Sequence, residues 1–297
     1  MADLFPRNAA GWKDSAKRVA GVALILIGVF VLFIGCAERS ILYPSQYRPA
    51  PPPVNLPDTA RQLTVEHEQG RTHAHLYLGA GVDAESPGPL VIYSHGNGEF
   101  IEDYFPTGLP GYGAMGISVL LVEYRGTGLS DGKPTKDGIH ADHVAFFDLA
   151  ASLPEVDPRR IVLHGRSMGG GIVASLAQER PGAALVLEST YSSIADFAAR
   201  LFIPRFIVKD NWDVTETLRT YPGPVFMQHS ERDEVIPFSM TEKNRAARPA
   251  ELPPITFVSY DLGHNDPMPP AFFADVEAFF REHGVLASES EPEPDRP

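Results

Sequence analysis

The sequence predicts an α/β fold: a mostly parallel sheet with helices on both faces. Three observations support it. First, short apolar runs alternate with segments of helical periodicity. The runs Leu90–Ser94, Ser118–Glu123, Arg160–His164, Ala184–Glu188, Pro224–His229 and Ile255–Tyr260 read as strands, with helices near 99–108, 136–153, 170–180 and 270–283. Second, Gly165-Arg166-Ser167-Met168-Gly169 lies between one such strand and one such helix. Third, the residues able to serve that serine fall just past later strands, and ligands of open parallel sheets bind beyond those strand ends.

The chain opens differently. Val19–Ala37 carries no charge over 19 residues, about 28 Å as a helix, enough to cross a hydrocarbon core. Lys13, Lys17 and Arg18 precede it, so the positive-inside rule puts residues 1–18 in the cytoplasm and the body outside, on the periplasmic side of a bacterium. A cleaved alternative is open: Leu32-Phe33-Ile34-Gly35-Cys36 has the form of a lipoprotein site, with lipidation at Cys36. Cys36 is the single cysteine, which leaves no intramolecular disulfide. Residues 38–59 are Pro-rich and predict a semi-stiff extended linker.

The body, 60–287, begins with alternating stretches Arg61–Glu66 and His73–Leu78, the pattern of an antiparallel hairpin at a sheet edge. Residues 191–221 interrupt the strand–helix rhythm with apolar residues at partly helical spacing. They read either as a small lid over a pocket or as ordinary packing on the sheet. The acidic, Pro-rich residues 288–297 predict a disordered tail. The net charge of −13 lies almost entirely on residues 38–287 and argues against nucleic acid as a partner. Nothing in the pattern sets an oligomeric state.

A strand turning sharply into a helix exposes the corner side chain above the sheet, and the helix N-terminus beneath favours developing negative charge. The flanking glycines let strand and helix approach closely. Ser167 therefore reads as a nucleophile at an elbow, although the string alone is also compatible with a Gly-rich turn and a solvated serine. A serine nucleophile needs a base, an orienting acid and donors for the oxyanion. Asp233 and His264 follow in the order serine, acid, histidine, each on a loop after a predicted strand. His95-Gly96-Asn97-Gly98 follows the strand Leu90–Ser94, and its turn can aim the Asn97 N–H at the oxyanion, with Met168 N–H as second donor.

Other residues read more plainly. Asp261 and Asp266 lie too near His264 in sequence to reach the far side of its imidazole, and Glu231 and Glu234 read as solvated. Arg166 reads as a structural salt bridge or as a contact for an anionic substrate group. His140, Asp142 and His143, and the pair His73 and His75, read as solvated faces rather than metal ligands, because no further His or Cys cluster supports a metal site.

His95-Gly96-Asn97, Tyr124-Arg125-Gly126-Thr127-Gly128, the pentapeptide 165–169, Asp233-Glu234-Val235-Ile236-Pro237 and Gly263-His264-Asn265-Asp266 occur in that order. Together they resemble the α/β-hydrolase superfamily across about residues 60–283, most closely its membrane-anchored branch of acylglycerol lipases and depalmitoylating thioesterases. The resemblance implies an α/β-hydrolase fold, in a branch whose members often carry an N-terminal membrane helix, and the segment at about 191–221 is placed as its small helical lid. It also implies catalytic roles for Ser167, Asp233 and His264, no cofactor or metal, and an acyl ester or thioester substrate, lipids included. His229-Ser230 departs from the His-Gly that relatives usually have. A serine peptidase of aminopeptidase type and a catalytically silent binding scaffold are the alternatives. The first usually carries a larger cap and an acidic pocket for the substrate amine, and neither is evident in the sequence.

Overall fold

The computed structural model describes residues 9–106 and 108–287; within the first helix the side chains of residues 9–14, 32 and 34–36 lie outside the description. Among the described residues the strands are β1 Ala60–His67, β2 Gly70–Tyr77, β3 Gly88–Ser94, β4 Ser118–Val122, β5 Val156–Arg166, β6 Ala184–Glu188, β7 Val225–Gln228 and β8 Ile255–Val258. They form one sheet in the order β1-β2-β4-β3-β5-β6-β7-β8. The β1–β2 hairpin is antiparallel and β2 pairs antiparallel with β4; every later pairing is parallel. The helices are α1 Ala9–Leu42, α2 Pro110–Ala114, α3 Lys136–Ala151, α4 Met168–Glu179, α5 Ile194–Arg200, α6 Val214–Thr220, α7 Phe238–Ala247 and α8 Pro270–Glu282.

Parallel strands covered on both faces must be apolar at consecutive positions, and β3 illustrates why. Leu90 and Ile92 enter one core with α3, α4 and α6, while Val91 and Tyr93 enter the other with α2 and α8. The helix α8 buries Phe272, Val276, Phe279 and Phe280, a stripe at helical spacing. Each such side chain stabilises the fold by about 1.5–3 kcal/mol.

The parallel register brings the functional loops together. Ser94 lies opposite Gly165, Arg166 opposite Glu188, Glu188 opposite Gln228, and Gln228 opposite Val258. The loops after β3, β5, β7 and β8 therefore leave the same edge of the sheet.

Three expectations change. The helix expected at 99–108 reduces to a 3₁₀ turn, Ile101–Tyr104, with a separate start at Pro110. Pro106 and Pro110 offer no backbone N–H and restrict the residues before them. The helix α7 was not expected, because FSMTEKNRAA has little apolar periodicity. The linker is only partly a spacer: α1 runs on to Leu42, Tyr43 is fully buried, and Pro44–Tyr47 forms a 3₁₀ turn against the body. An aromatic side chain that finds a core position outweighs the extended bias of nearby prolines.

Among the described residues no helix is long and apolar enough to cross a membrane. The uncharged run Val19–Ala37 lies inside α1, and residues 32 and 34–36 within it fall outside the description of side chains. The lipidation expected at Cys36, the first eight residues of the basic tail and the tail 288–297 also lie outside the described residues.

Candidate active site

Ser167 sits at the corner between β5 and α4 with φ 52° and ψ −116°, a left-handed conformation that costs a serine on the order of 1–3 kcal/mol. The corner is held by its neighbours. Ser167 N–H donates to Glu188 O at 2.8 Å, and Thr190 Oγ1 donates to Ser167 O at 2.7 Å. A Cβ on Gly169 would lie 1.9 Å from Ser94 O, and one on Gly165 would lie 2.2 Å from Gly169 O, so both flanking glycines are obligatory.

Ser167, His264 and Asp233 meet in a hydrogen-bonded line. His264 Nδ1 is 2.7 Å from Asp233 Oδ2, and His264 Nε2 is 3.1 Å from Ser167 Oγ. A carboxylate only accepts, so Nδ1 carries the proton and Nε2 is free to accept from the serine hydroxyl. Such a line can take the proton of an attacking hydroxyl and stabilise the resulting imidazolium. Burial pushes the Asp233 carboxyl up, but hydrogen bonds from His229, His264 and the Ile236 N–H outweigh it and hold it well below the ordinary range. His229 Nε2 donates to Ile236 O at 2.9 Å and lies 3.3 Å from Asp233 Oδ2. The acid therefore faces two histidines.

Met168 opens α4, so its N–H is among the first-turn donors that have no partner within the helix. Asn97 lies across the cavity on the loop after β3. The peptide that bears its N–H is held through its other end: His95 Nδ1 is 2.8 Å from Gly96 O. His95 Nε2 is 3.1 Å from Glu123 Oε1. Both partners accept, so His95 is an imidazolium. Burial alone would lower its pKa, yet the Glu123 carboxylate turns the net shift upward, and His95 in turn helps hold Glu123 down against its own desolvation. Neither His95 nor Glu123 was singled out for this role. The available signal was positional, since both directly follow the registered pair Ser94 and Val122.

Arg166 is an ion-pair residue, bound to Glu99 and 3.3 Å from Glu188, and it donates to His264 O at 2.9 Å. It thus ties the elbow to the histidine loop. Glu234 is exposed as expected, yet it accepts from His264 N–H at 3.1 Å. Asp261 pairs with Arg232 and Asp266 accepts from Gly263 N–H, so neither competes for the imidazole. The solvated faces expected on α3 and β2 are partly buried. Asp142 binds Arg125 and Thr72, His143 binds Ser94 Oγ, and His75 is buried, its pKa lowered to about 4 by desolvation.

Above Ser167 and His264 lies a cavity of about 520 Å³. Its walls include Ile194, Phe197, Leu201 and Ile203 from the segment expected as a lid, and Ile41 and Leu42 from α1. The rest of that segment, with Trp212, Val214 and Leu218, packs into the core on α4. The segment thus divides: residues 194–203 line the cavity, while Trp212, Val214 and Leu218 belong to the core.

Residues 85–209 match a family described as serine aminopeptidase, S33 (Hydrolase_4). The Mycobacterium tuberculosis protein Rv2307c is 31% identical over 252 residues, 84% of this chain and 88% of that protein. Protein bem46 of Schizosaccharomyces pombe is 28% identical over 240 residues, 76% of this chain and 78% of bem46. Among solved structures, Thermogutta terrifontis esterase 2 is similar with a TM-score of 0.63 at 16% identity, covering 78% of this chain and 97% of that chain. Est1E of Butyrivibrio proteoclasticus, with ferulic acid bound, gives 0.62 at 19% identity, covering 75% and 99%. The strand order, the loops gathered at one sheet edge and these relatives agree: the chain belongs to the α/β-hydrolase superfamily.

Proposed function

We propose that this protein is a membrane-tethered serine hydrolase that cleaves carboxylic ester or thioester bonds through an acyl-enzyme. The observation that carries the reading is the line Asp233–His264–Ser167 at the floor of an apolar cavity. Ser167 Oγ attacks the acyl carbonyl while His264 Nε2 takes its proton, and the N–H groups of Asn97 and Met168 receive the oxyanion. His264 returns the proton to the departing alcohol or thiol. It then deprotonates a water, which attacks the acyl-serine and releases the acid, restoring the serine hydroxyl.

The tether rests on α1. Val19, Leu24, Ile25, Leu26, Ile27 and Phe33 are 58–70% exposed, an apolar surface suited to lipid. Leu201, which lines the cavity, and its chain neighbours Phe202 and Phe206 are 61, 93 and 82% exposed, on the segment whose Lys209 and Asp210 N–H groups donate to Glu38 of α1. An apolar rim next to an apolar helix favours a lipid-like acyl substrate met at the membrane, with the hydrolase domain on the extracytoplasmic face. A reporter fused after residue 287 is expected to be active only outside the cytoplasm, and cytoplasmic activity overturns that orientation.

The chemical test is labelling of the detergent-solubilised protein by a fluorophosphonate, with Ser167→Ala as the control. Labelling of the native chain alone supports the hydrolase, and absence of label on the folded native chain overturns it. Aminopeptidase chemistry is the second reading. It is favoured by the family description of residues 85–209 and by Glu38, a carboxylate on the cavity wall that the sequence did not place there. Comparing 4-nitrophenyl esters with aminoacyl 4-nitroanilides separates the two readings, since only a peptidase turns over the anilides efficiently.

A further inference from the structure

The end of α1 and the arm that follows it, residues 38–48, reach both walls of the reaction cavity. On the lid side Glu38 caps the N–H groups of Lys209 and Asp210 at 2.8 and 3.0 Å. Trp212 Nε1 donates to the fully buried Tyr43 hydroxyl at 3.1 Å, and that hydroxyl donates to Asp210 Oδ2 at 3.2 Å. On the opposite side Ser45, itself 1% exposed, donates through Oγ to Asn97 O at 3.3 Å. Arg48 donates to Gly98 O and stacks its guanidinium 4.3 Å from the Phe100 ring centroid.

The loop so held is Gly96-Asn97-Gly98, with Asn97 and Gly98 exposed. Two glycines flanking one residue give the backbone wide freedom, so the aim of the Asn97 N–H depends on what fixes the peptide planes to either side. His95 holds the preceding plane through Gly96 O. Ser45 holds the following plane through Asn97 O, and Arg48 holds the next through Gly98 O. We propose that Ser45 and Arg48 are positioning residues for the oxyanion loop, so that the extension of the anchor helix is a working part of the active site. The inference rests on the reading of the Asn97 N–H as an oxyanion donor.

The test uses the full chain in detergent micelles, a short soluble ester such as 4-nitrophenyl acetate, and a trifluoromethyl ketone that adds reversibly to the serine. Removing an oxyanion donor outright costs about 10²–10³ in kcat, and loosening its aim costs less. Ser45→Ala combined with Arg48→Ala is therefore expected to lower kcat about tenfold or more with KM unchanged. The ketone should weaken by the same factor, because both losses act on the tetrahedral state. Ser45→Thr and Arg48→Lys are expected to restore most of the rate. Arg48→Ala alone, at a partly exposed position, serves if the double variant does not fold. Unchanged kcat in a wild-type-like background overturns the proposal and leaves the hydrolase reading standing. So does a loss of kcat matched by a rise in KM and a lowered melting temperature. A wild-type chain that neither hydrolyses the ester nor binds the ketone overturns both.

Discussion

Two histidine–carboxylate pairs stand at the same edge of the sheet, and they differ in what the second imidazole nitrogen meets. In His264–Asp233 one nitrogen binds the carboxylate and the other faces the hydroxyl of Ser167. In His95–Glu123 one nitrogen binds the carboxylate and the other faces the carbonyl of Gly96. A hydroxyl can give up a proton to the ring, whereas a carbonyl can only accept one. His264 can therefore accept a proton at Nε2, whereas both nitrogens of His95 face acceptors, beneath the Gly96-Asn97-Gly98 loop. Pairing a histidine with an acid is not by itself a sign of catalysis; the partner on the far nitrogen decides.

The comparison can be broken at several points. The largest effect is expected from Ser167→Ala, which should lower kcat by about 10⁶, roughly 8 kcal/mol, with the melting temperature kept. Asp233→Asn should cost about 10⁴ in kcat by favouring the wrong His264 tautomer, again in a folded protein; activity within tenfold of wild type contradicts the assignment. Glu123→Gln should act the opposite way. It leaves the buried His95 charge unpaired, and the expected loss is about 3–5 kcal/mol of stability, read from the urea midpoint, with a much smaller change in kcat per folded molecule.

Two finer tests follow. His229→Gln removes one of the two histidines facing Asp233 and should lower kcat by about tenfold, in line with a charged hydrogen bond of about 1.5 kcal/mol. The smallest effect is a slope with pH. His95 is shifted above its ordinary 6.5, so its contribution to stability is complete below 6.5 and is lost as pH rises through the raised value. Glu123 is shifted below its ordinary 4.5, so its contribution is complete above 4.5 and is lost as pH falls through the lowered value. Stability measured from pH 4 to 9 should therefore fall toward both ends more steeply in the wild type than in a His95→Gln, Glu123→Gln double variant. Parallel curves would show that the pair is not charged in the folded state.

Much of this arrangement was legible beforehand. The core strands are short β-branched and apolar runs, and period and length identify them with little ambiguity. Ser167, Asp233 and His264 each follow such a run, so their shared edge could be inferred from connectivity alone. The supporting partners were less visible. Glu234 looks like a solvated acid, and only the chain reversal after β7 brings it to the His264 N–H. Asp142 and His143 look like a polar helix face, yet Arg125, Thr72 and Ser94 come from other elements to satisfy them.

The amino-acid sequence by itself determined the class of fold, the order of Ser167, Asp233 and His264 at successive strand ends, and the presence of a long uncharged N-terminal run. These depend on local periodicity, strand-end placement and composition, all of which are carried by neighbours along the chain. Only the tertiary structure decided which histidine faces a hydroxyl and which a carbonyl, and that residues 38–48 close on the Gly96-Asn97-Gly98 loop rather than standing clear of it. Those outcomes turn on which donor meets which acceptor between residues such as Ser45 and Asn97, or His264 and Ser167, and sequence distance carries no information about contacts of that range.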